Sequence, residues 1–435
     1  MSAEKRGCGK PTLVDELCRW LYSLLLLLLL PIALAKLAGK KRDNNSLNQH
    51  GTFERFGFVP KPSRQGGYLI HCVSVGEVVA ASCVIKQLLI DEPDTSITVT
   101  TTTSTGSARV RDIFGDRVNH FYLPFDVSLF MSMMLKRIRP KVVLVTEVEL
   151  WPNMVHMCWR RKVPVVVINA RMTDRSARRY QKISRVFHPM LNKVSHVCAQ
   201  GEGDYRNYLA LGLPKQKLTL TNNIKFDQVG AVSTASPSFM GLENYDGPIL
   251  VAGSTHASEE EAIIEAAKRL WQTHPTLVVI IVPRHPERFD TVAELLESHD
   301  IAFIRSSLAN TLETNKTVIL LDEMGRLNNA YSVGTIAFVG GSIADRGGHN
   351  ALEPAAFAIP ILMGPNTYNN PVICQHLIGR GALQIASNAQ DIAQACEAWL
   401  SSEALRKKAG SAGNQVLREN SGALSKTLAC VARTL

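Results

Sequence analysis

From Tyr68 onward the chain alternates short runs of β-branched and apolar residues with longer stretches whose apolar positions recur every three or four residues. Runs of the first kind predict strands buried on both faces, and stretches of the second kind predict amphipathic helices. Their alternation predicts parallel sheets covered by helices. Strands are expected near 68–75, 96–102, 119–123, 142–146, 163–168, 195–199 and 217–221. A second set is expected near 249–253, 277–282, 301–304, 317–321, 335–340 and 359–363. Between the sets, residues 229–248 (VGAVSTASPSFMGLENYDGP) mix Gly, Ser and Pro without a period and read as a linker. The expected architecture is α/β: two doubly wound, Rossmann-like domains, 43–228 and 249–435, facing each other across a cleft.

Residues 20–37 (WLYSLLLLLLLPIALAKL) break this alternation with a nearly unbroken apolar run. As a helix the run is slightly short of a hydrocarbon core of about 30 Å. Ala33-Leu34-Ala35 also matches a signal-peptidase site, but free cysteines scattered downstream favour a retained anchor. Residues 1–42 are therefore expected to form an N-terminal membrane-anchor helix with a basic flank, spanning or monotopic. Lys40, Lys41 and Arg42 suit anionic headgroups on the cytoplasmic face, although Lys5, Arg6, Lys10 and Arg19 make the other flank basic too.

At 435 residues, 46% hydrophobic and 20% charged, the chain has room for two ordinary cores. The net charge of +10 points to anionic partners. Without an aromatic-and-basic RNA signature or a helix-turn-helix, no nucleic acid is expected. The nine cysteines show no CxxC pair or Cys/His spacing suited to a metal, and no metal or other cofactor is expected.

The candidate chemistry gathers where strands meet helices, the place where open α/β sheets keep their ligands. Glu77 follows a glycine at such a seam, in the first turn of a helix whose dipole favours its ionised form. Glu147 and Glu149 end another strand before Trp151-Pro152, and Lys225 closes the last strand of the first set. Each alone fits a surface role; together, carboxylates and an ammonium on the same sheet edge favour a site. In the second half, residues 336–365 carry Gly340-Gly341-Ser342 and a second glycine pair before a helix, a pattern suited to an anion. It is neither GxGxxG nor a Walker loop. Asn350 and Glu353 also fit a capping box with no ligand, and a helix starting at Pro354 would instead aim Glu353 at ribose hydroxyls. Pro283, Arg284 and His285 end a buried strand in a stiff basic loop, where Arg284 suits a phosphate. Ser254, Thr255 and His256 precede a helix whose acidic first turn reads as capping. Residues 169–193 form a basic amphipathic stretch, a solvated face or a grip on lipid phosphates.

In order, FERFG, HCVSVGEVVAA, TEVELWPN, NARMTDRSARRY, NIKFD, VPRHPERF, DEMG and FVGGSIADRGGHNALEPAA resemble segments of the bacterial Kdo transferases. These move 3-deoxy-D-manno-octulosonic acid (Kdo) from CMP-Kdo to a lipid A precursor. The resemblance implies a membrane-associated GT-B glycosyltransferase of the inner membrane, cytoplasmic face, using no metal, with CMP-Kdo, lipid A precursor and membrane lipids as partners. It implies Glu77 as general base, and Glu147 and Lys225 in transition-state stabilisation. It implies CMP contacts from Pro283 and Arg284, from Met324, Gly325 and Arg326, and from Asn350, Ala351, Leu352 and Glu353. The family's acidic residue after Met324-Gly325 is Arg326 here, which leaves backbone contacts to carry over. A sugar-nucleotide epimerase of the same architecture predicts turnover without acceptor, and a membrane-tethered nucleotide sensor predicts binding without turnover. Oligomeric state and the number of Kdo residues added do not follow from the sequence.

Overall fold

The computed structural model describes residues 12–39, 52–147, 149–230, 239–309 and 318–435. The chain divides into two compact units, residues 1–228 with 422–435, and residues 229–421. The first division falls after Gln228, and the chain returns to the first unit from Gly422 onward. The helix Ala423–Ala432 packs on the first unit. The Asp227 carboxylate secures its start, accepting from Gly422 N (2.6 Å) and from Leu424 N.

The first unit carries β1 (Tyr68–His71), β2 (Ile97–Thr101), β3 (Asn119–Tyr122), β4 (Val142–Thr146), β5 (Val165–Ala170), β6 (His196–Ala199) and β7 (Leu218–Leu220). They form one parallel sheet in the order β3-β2-β1-β4-β5-β6-β7. β1, β2, β4 and β5 are buried at every position, as uninterrupted apolar runs require when helices cover both faces. The chain leaves β1 towards β2 and leaves β4 towards β5, so the adjacent β1 and β4 flank the point where strand order reverses. A crevice opens there at the carboxyl ends. β1 is shorter than its apolar run because Val75 already starts the helix Val75–Asp91.

The second unit repeats the plan with β8 (Ile249–Thr255), β9 (Val278–Pro283), β10 (Phe303–Arg305), β11 (Val318–Leu320), β12 (Ile336–Val339), β13 (Ile361–Met363) and β14 (Leu383–Ile385). The order is β10-β11-β9-β8-β12-β13-β14, all parallel, and the reversal lies between β8 and β12. β14 was not expected. It is a three-residue edge strand with two exposed positions, too short to leave a periodic signal. Of the expected linker, residues 231–238 lie outside the described residues. Phe239, Met240 and Leu242 are buried in the core of the second unit instead of forming a solvated connection.

The expected membrane span is not found: among the described residues no helix is long and apolar enough to cross a membrane. The helix Leu13–Gly39 is instead bonded sideways to the first unit. Arg19 donates to Ser128 Oγ (3.0 Å) and Asn153 Oδ1 (2.9 Å), Tyr22 donates to Asp126 Oδ2 (3.1 Å), and Lys193 donates to Glu16 (3.3 Å). Leu21, Leu24, Leu25 and Leu28 remain more than half exposed. Lys40, Lys41 and Arg42 lie outside the described residues.

Candidate functional site

In the first unit the reversal point brings Glu77, after β1, beside Glu147, after β4. The two strands pair in register from Tyr68↔Val142 to His71↔Val145. Glu77 lies in the first turn of its helix, 8% exposed, and its carboxylate accepts from Val73 N (2.8 Å) and Ser74 Oγ (3.1 Å). Thr102 and Thr103, at the end of β2, both donate their hydroxyls to Val73 O (3.2 and 3.1 Å) and so brace the turn that carries Glu77. Glu147 has φ +58°, a left-handed conformation uncommon for a non-glycine residue. Its N–H donates to Ile168 O (3.0 Å) and its carbonyl accepts from Arg171 N (3.4 Å), tying the ends of β4 and β5 together.

The helix N-terminus was expected to keep Glu77 ionised. Burial outweighs it and raises the carboxyl to about 7, with further repulsion from Glu147 and Glu149 opposing the two hydrogen bonds that lower it. Glu149 is raised as well, by burial and then by Glu147. Lys225 opens the helix Lys225–Gly230; burial lowers its ammonium, the Glu147 carboxylate raises it and Arg171 lowers it again. Glu147 is thus the shared neighbour, coupled to Glu77 on one side and to Lys225 on the other. A carboxyl held near neutrality in a crevice, as Glu77 is, suits a general base.

In the second unit the glycine loop after β12 does not wait for a phosphate. The Glu259 carboxylate occupies it, fully buried, accepting from the N–H groups of Gly341, Ser342 and Ile343 (2.8 Å each) and more distantly from Ala344 (3.4 Å). The same carboxylate accepts from His256 N (3.0 Å) as part of a capping box on the helix Ala257–Leu270, so this acidic turn does cap its helix. A bulge at the end of β8 puts Ser254 at φ +57°. Gly340 must pass it closely, since a Cβ there would lie 2.3 Å from Ser254 O.

Above this packed loop a cavity of about 760 Å³ is lined by His256, Ser258, Arg284, His285, Arg288, Arg346 and His349, among others. No acidic residue lines it, so it suits an anion. The His256 and His349 rings stack at 5.4 Å with their Nε2 atoms 3.1 Å apart. Burial pushes the His349 imidazole down to about 4, with Arg284, His256 and His285 adding repulsion, so His349 stays neutral at neutral pH. His256 is lowered too, chiefly by burial.

Several sequence-predicted residues meet here. Pro283 ends β9 and delivers Arg284, whose N–H donates to Thr255 O (3.0 Å). Glu353 is raised by burial, while its hydrogen bond from Asn350 Nδ2 (3.3 Å) and the Arg284 charge lower it. Asn350 Oδ1 accepts from Leu352 N (3.2 Å), and the helix runs Leu352–Ala356, with Ala351 and Leu352 buried beneath. Asn350 thus bonds the Glu353 side chain without capping the helix, whose N-cap is Ala351, while the Arg284 charge acts on Glu353 as well. Met324 is 60% exposed and Gly325 has φ +84°. Arg326 is held by Glu323 (2.6 Å) and lies 5.4 Å from the Phe239 ring centroid, so its side chain is engaged locally.

Sequence reasoning passed over His349, Arg346 and Arg288, which line the cavity, and Asn169, buried at the end of β5 with φ +49°. Asn169 Oδ1 accepts from Ile224 N (3.1 Å), beside Lys225, and its Nδ2 has no partner. In sequence, nothing separates these four from solvated polar residues. Among the described residues, metal-ligating side chains converge only at His196, Cys198 and Cys430, on β6 and the last helix rather than at either reversal point.

Two family models match. One, described as 3-Deoxy-D-manno-octulosonic-acid transferase (kdotransferase), matches residues 50–228. The other, described as Glycosyl transferases group 1, matches residues 259–416. A 3-deoxy-D-manno-octulosonic acid transferase of Haemophilus influenzae is 41% identical over 418 residues, covering 94% of this chain and 97% of the relative. Among solved structures, a UDP-GlcNAc 2-epimerase from Neisseria meningitidis bound to UDP-GlcNAc is 14% identical, with 84% of this chain and 100% of that chain covered at a TM-score of 0.58. That likeness is one of fold. The C-terminal CMP-Kdo binding domain of WaaA from Acinetobacter baumannii is 32% identical over 45% of this chain and 96% of that domain, at a TM-score of 0.39.

Proposed function

The chain belongs to the family of 3-deoxy-D-manno-octulosonic acid transferases, and from that premise we propose that it transfers Kdo from CMP-Kdo to a lipid A precursor in lipopolysaccharide synthesis. The acceptor hydroxyl attacks the anomeric carbon, its proton passes to the Glu77 carboxylate, and the bond from that carbon to the CMP phosphate oxygen breaks. The observation that carries this reading is the buried Glu77 carboxyl, held at about 7 beside Glu147. A hydroxyl needs a base as the new bond forms, and a carboxyl at that value is ionised in a useful fraction while remaining far more basic than an ordinary one.

CMP leaves as an anion, and Arg284, in the basic cavity of the second unit, suits its phosphate. Pro283, the backbone at Met324, Gly325 and Arg326, and Asn350, Ala351 and Leu352 support the nucleotide in this reading. Glu353 accepts from ribose hydroxyls. Lys225 and Glu147 steady the charges that develop at the reacting centre, and cationic side chains supply the stabilisation that a metal ion supplies in other transferases. The exposed leucines of the helix Leu13–Gly39 favour a monotopic attachment to the cytoplasmic face of the inner membrane, where the lipid acceptor resides.

The test is mass spectrometry of lipid IVA, the tetraacylated precursor, incubated with CMP-Kdo and either the wild type or a folded Glu77→Gln variant. The expected result is a gain of Kdo with the wild type alone, CMP binding being unchanged in the variant. Equal gain from both removes the base assignment. No gain from the folded wild type removes the transferase reading, and CMP-Kdo turned over without acceptor would favour the isomerase instead.

A further inference from the structure

Two of the buried thiols converge with an imidazole on the first unit, at a place the transfer reaction does not use. His196 and Cys198 alternate along β6 and so project from the same face of the sheet. The helix Ala423–Ala432 lies across β6 and brings Cys430 down onto that face. One ligating atom from each of the three lies within 4.8 Å of the others. The ligands of a tetrahedral zinc ion stand roughly 3.5–4 Å apart, as bonds of about 2.3 Å to sulfur and 2.0–2.1 Å to nitrogen require. A contraction of about 1 Å at most therefore completes the arrangement.

The surroundings hold these groups as a metal site holds its ligands. Thr219 Oγ1, on the neighbouring strand, lies 2.9 Å from His196 Nε2 and fixes the ring. Arg433, one turn beyond Cys430, donates Nη2 to its sulfur (3.1 Å), the kind of outer contact that steadies a thiolate ligand. Cys72, Cys158, Cys374 and Cys396 are buried too, yet none belongs to such a group, so convergence is not a general property of the buried thiols here. Cys198 and Cys430 lie within a hydrophobic cluster, and His196 is half-buried at its margin.

We propose that His196, Cys198 and Cys430 form a binding site for a thiophilic divalent cation, Zn²⁺ by preference, that clasps the last helix to β6. Two thiols and a neutral imidazole are soft and borderline donors, which select zinc over magnesium or calcium. On binding, both thiols release their protons to solvent, two thiolates balance the dication, and a water completes the fourth position. The site is structural and needs no part of the transfer chemistry.

The experiment uses the full chain, reduced and stripped with chelator, then titrated anaerobically with Co²⁺. A sulfur-to-cobalt charge-transfer band saturating at about one ion per chain is expected, with tetrahedral visible bands that Zn²⁺ abolishes. Cys198→Ser and Cys430→Ser should each weaken the band, their double variant should remove it, and Cys374→Ser should leave it unchanged. Circular dichroism verifies the fold of each variant. His196→Gln, at the margin of the core, is the second probe and should weaken cobalt affinity about tenfold or more. A folded, reduced wild type without a thiolate band overturns the proposal, as does a band that survives in a folded double variant.

Discussion

Glu77 sets a pH dependence that can be worked out in advance. Its carboxyl is raised from an ordinary 4.5 to about 7, which corresponds to about 3 kcal/mol against the ionised form in the folded protein. If this carboxylate is the base, kcat/KM for the acceptor falls tenfold per pH unit below about 7 and levels off above it. At pH 6 roughly one molecule in ten is competent. Stability runs the other way. A folded-state value raised above the unfolded one contributes stability that is complete below about 4.5 and is lost as pH rises through about 7. Glu77→Gln does not titrate, so the stability difference between variant and wild type should shift in the variant's favour by about 3 kcal/mol between pH 4 and pH 8. The hydrogen bonds from Val73 and Ser74, whatever their loss costs, enter this difference as a constant. The assays are initial rates at saturating CMP-Kdo across pH 5–9 and urea denaturation of both proteins across pH 4–8. Glu149→Gln supplies an internal control, because removing that neighbouring charge should move the acid limb to lower pH. An acid limb near 4.5, or a stability difference that does not change with pH, refutes the assignment of a raised carboxyl to this position.

Three further outcomes follow from contacts elsewhere. Glu259→Ala should cost the second unit at least about 3 kcal/mol in urea denaturation, because it orphans several buried N–H groups at roughly 1–3 kcal/mol each. Asp227→Ala, which frees the N–H groups of Gly422 and Leu424, should cost about 1 kcal/mol and speed amide exchange in the helix Ala423–Ala432 ahead of the rest of the first unit. Arg284→Ala should raise KM for CMP-Kdo about tenfold or more with a smaller effect on kcat, measured by CMP release, since it removes a charge-assisted contact to the donor.

The central strands were legible because they are buried on both faces and leave continuous apolar runs, whereas the short, half-exposed edge strand β14 left none. Glu77, Glu147 and Arg284 were legible at strand ends for the same reason, whereas Lys225, expected to close a strand, opens the helix Lys225–Gly230 beyond the end of β7 at Leu220. Strand order was not, and strand order is what makes Glu77 and Glu147 neighbours: they stand seventy positions apart and meet because β1 pairs with β4. The raised carboxyl follows from that pairing, so a reading confined to the helix N-terminus arrived at the opposite sign. The glycine loop after β12 failed as a predicted anion site for a related reason. It does hold an anion, but the anion is Glu259 of the same chain, more than eighty residues earlier. Backbone N–H groups have the same geometry whether they receive a ligand or a side chain. The return of residues 422–435 to the first unit rests on Asp227 and on burial against β6, neither of which has a local signature.

The same sheet plan carries opposite charge at its two reversal points, and the chemistry explains why they differ. At the first, Glu77, Glu147 and Glu149 repel one another and share burial, which is what lifts a carboxyl towards neutrality. At the second, three arginines and three histidines line one cavity. A base placed in that second setting would lose its basicity, as the Arg284 charge already pulls against the buried Glu353. An anion placed in the first would meet carboxylates. Activating a hydroxyl and holding a phosphate are therefore incompatible demands on one local field. Lys225 is the exception that fits: its ammonium is lowered by burial, and the carboxylate that raises it is Glu147. A cation so placed can answer charge at the reacting centre without drawing the Glu77 carboxyl back down to an ordinary value.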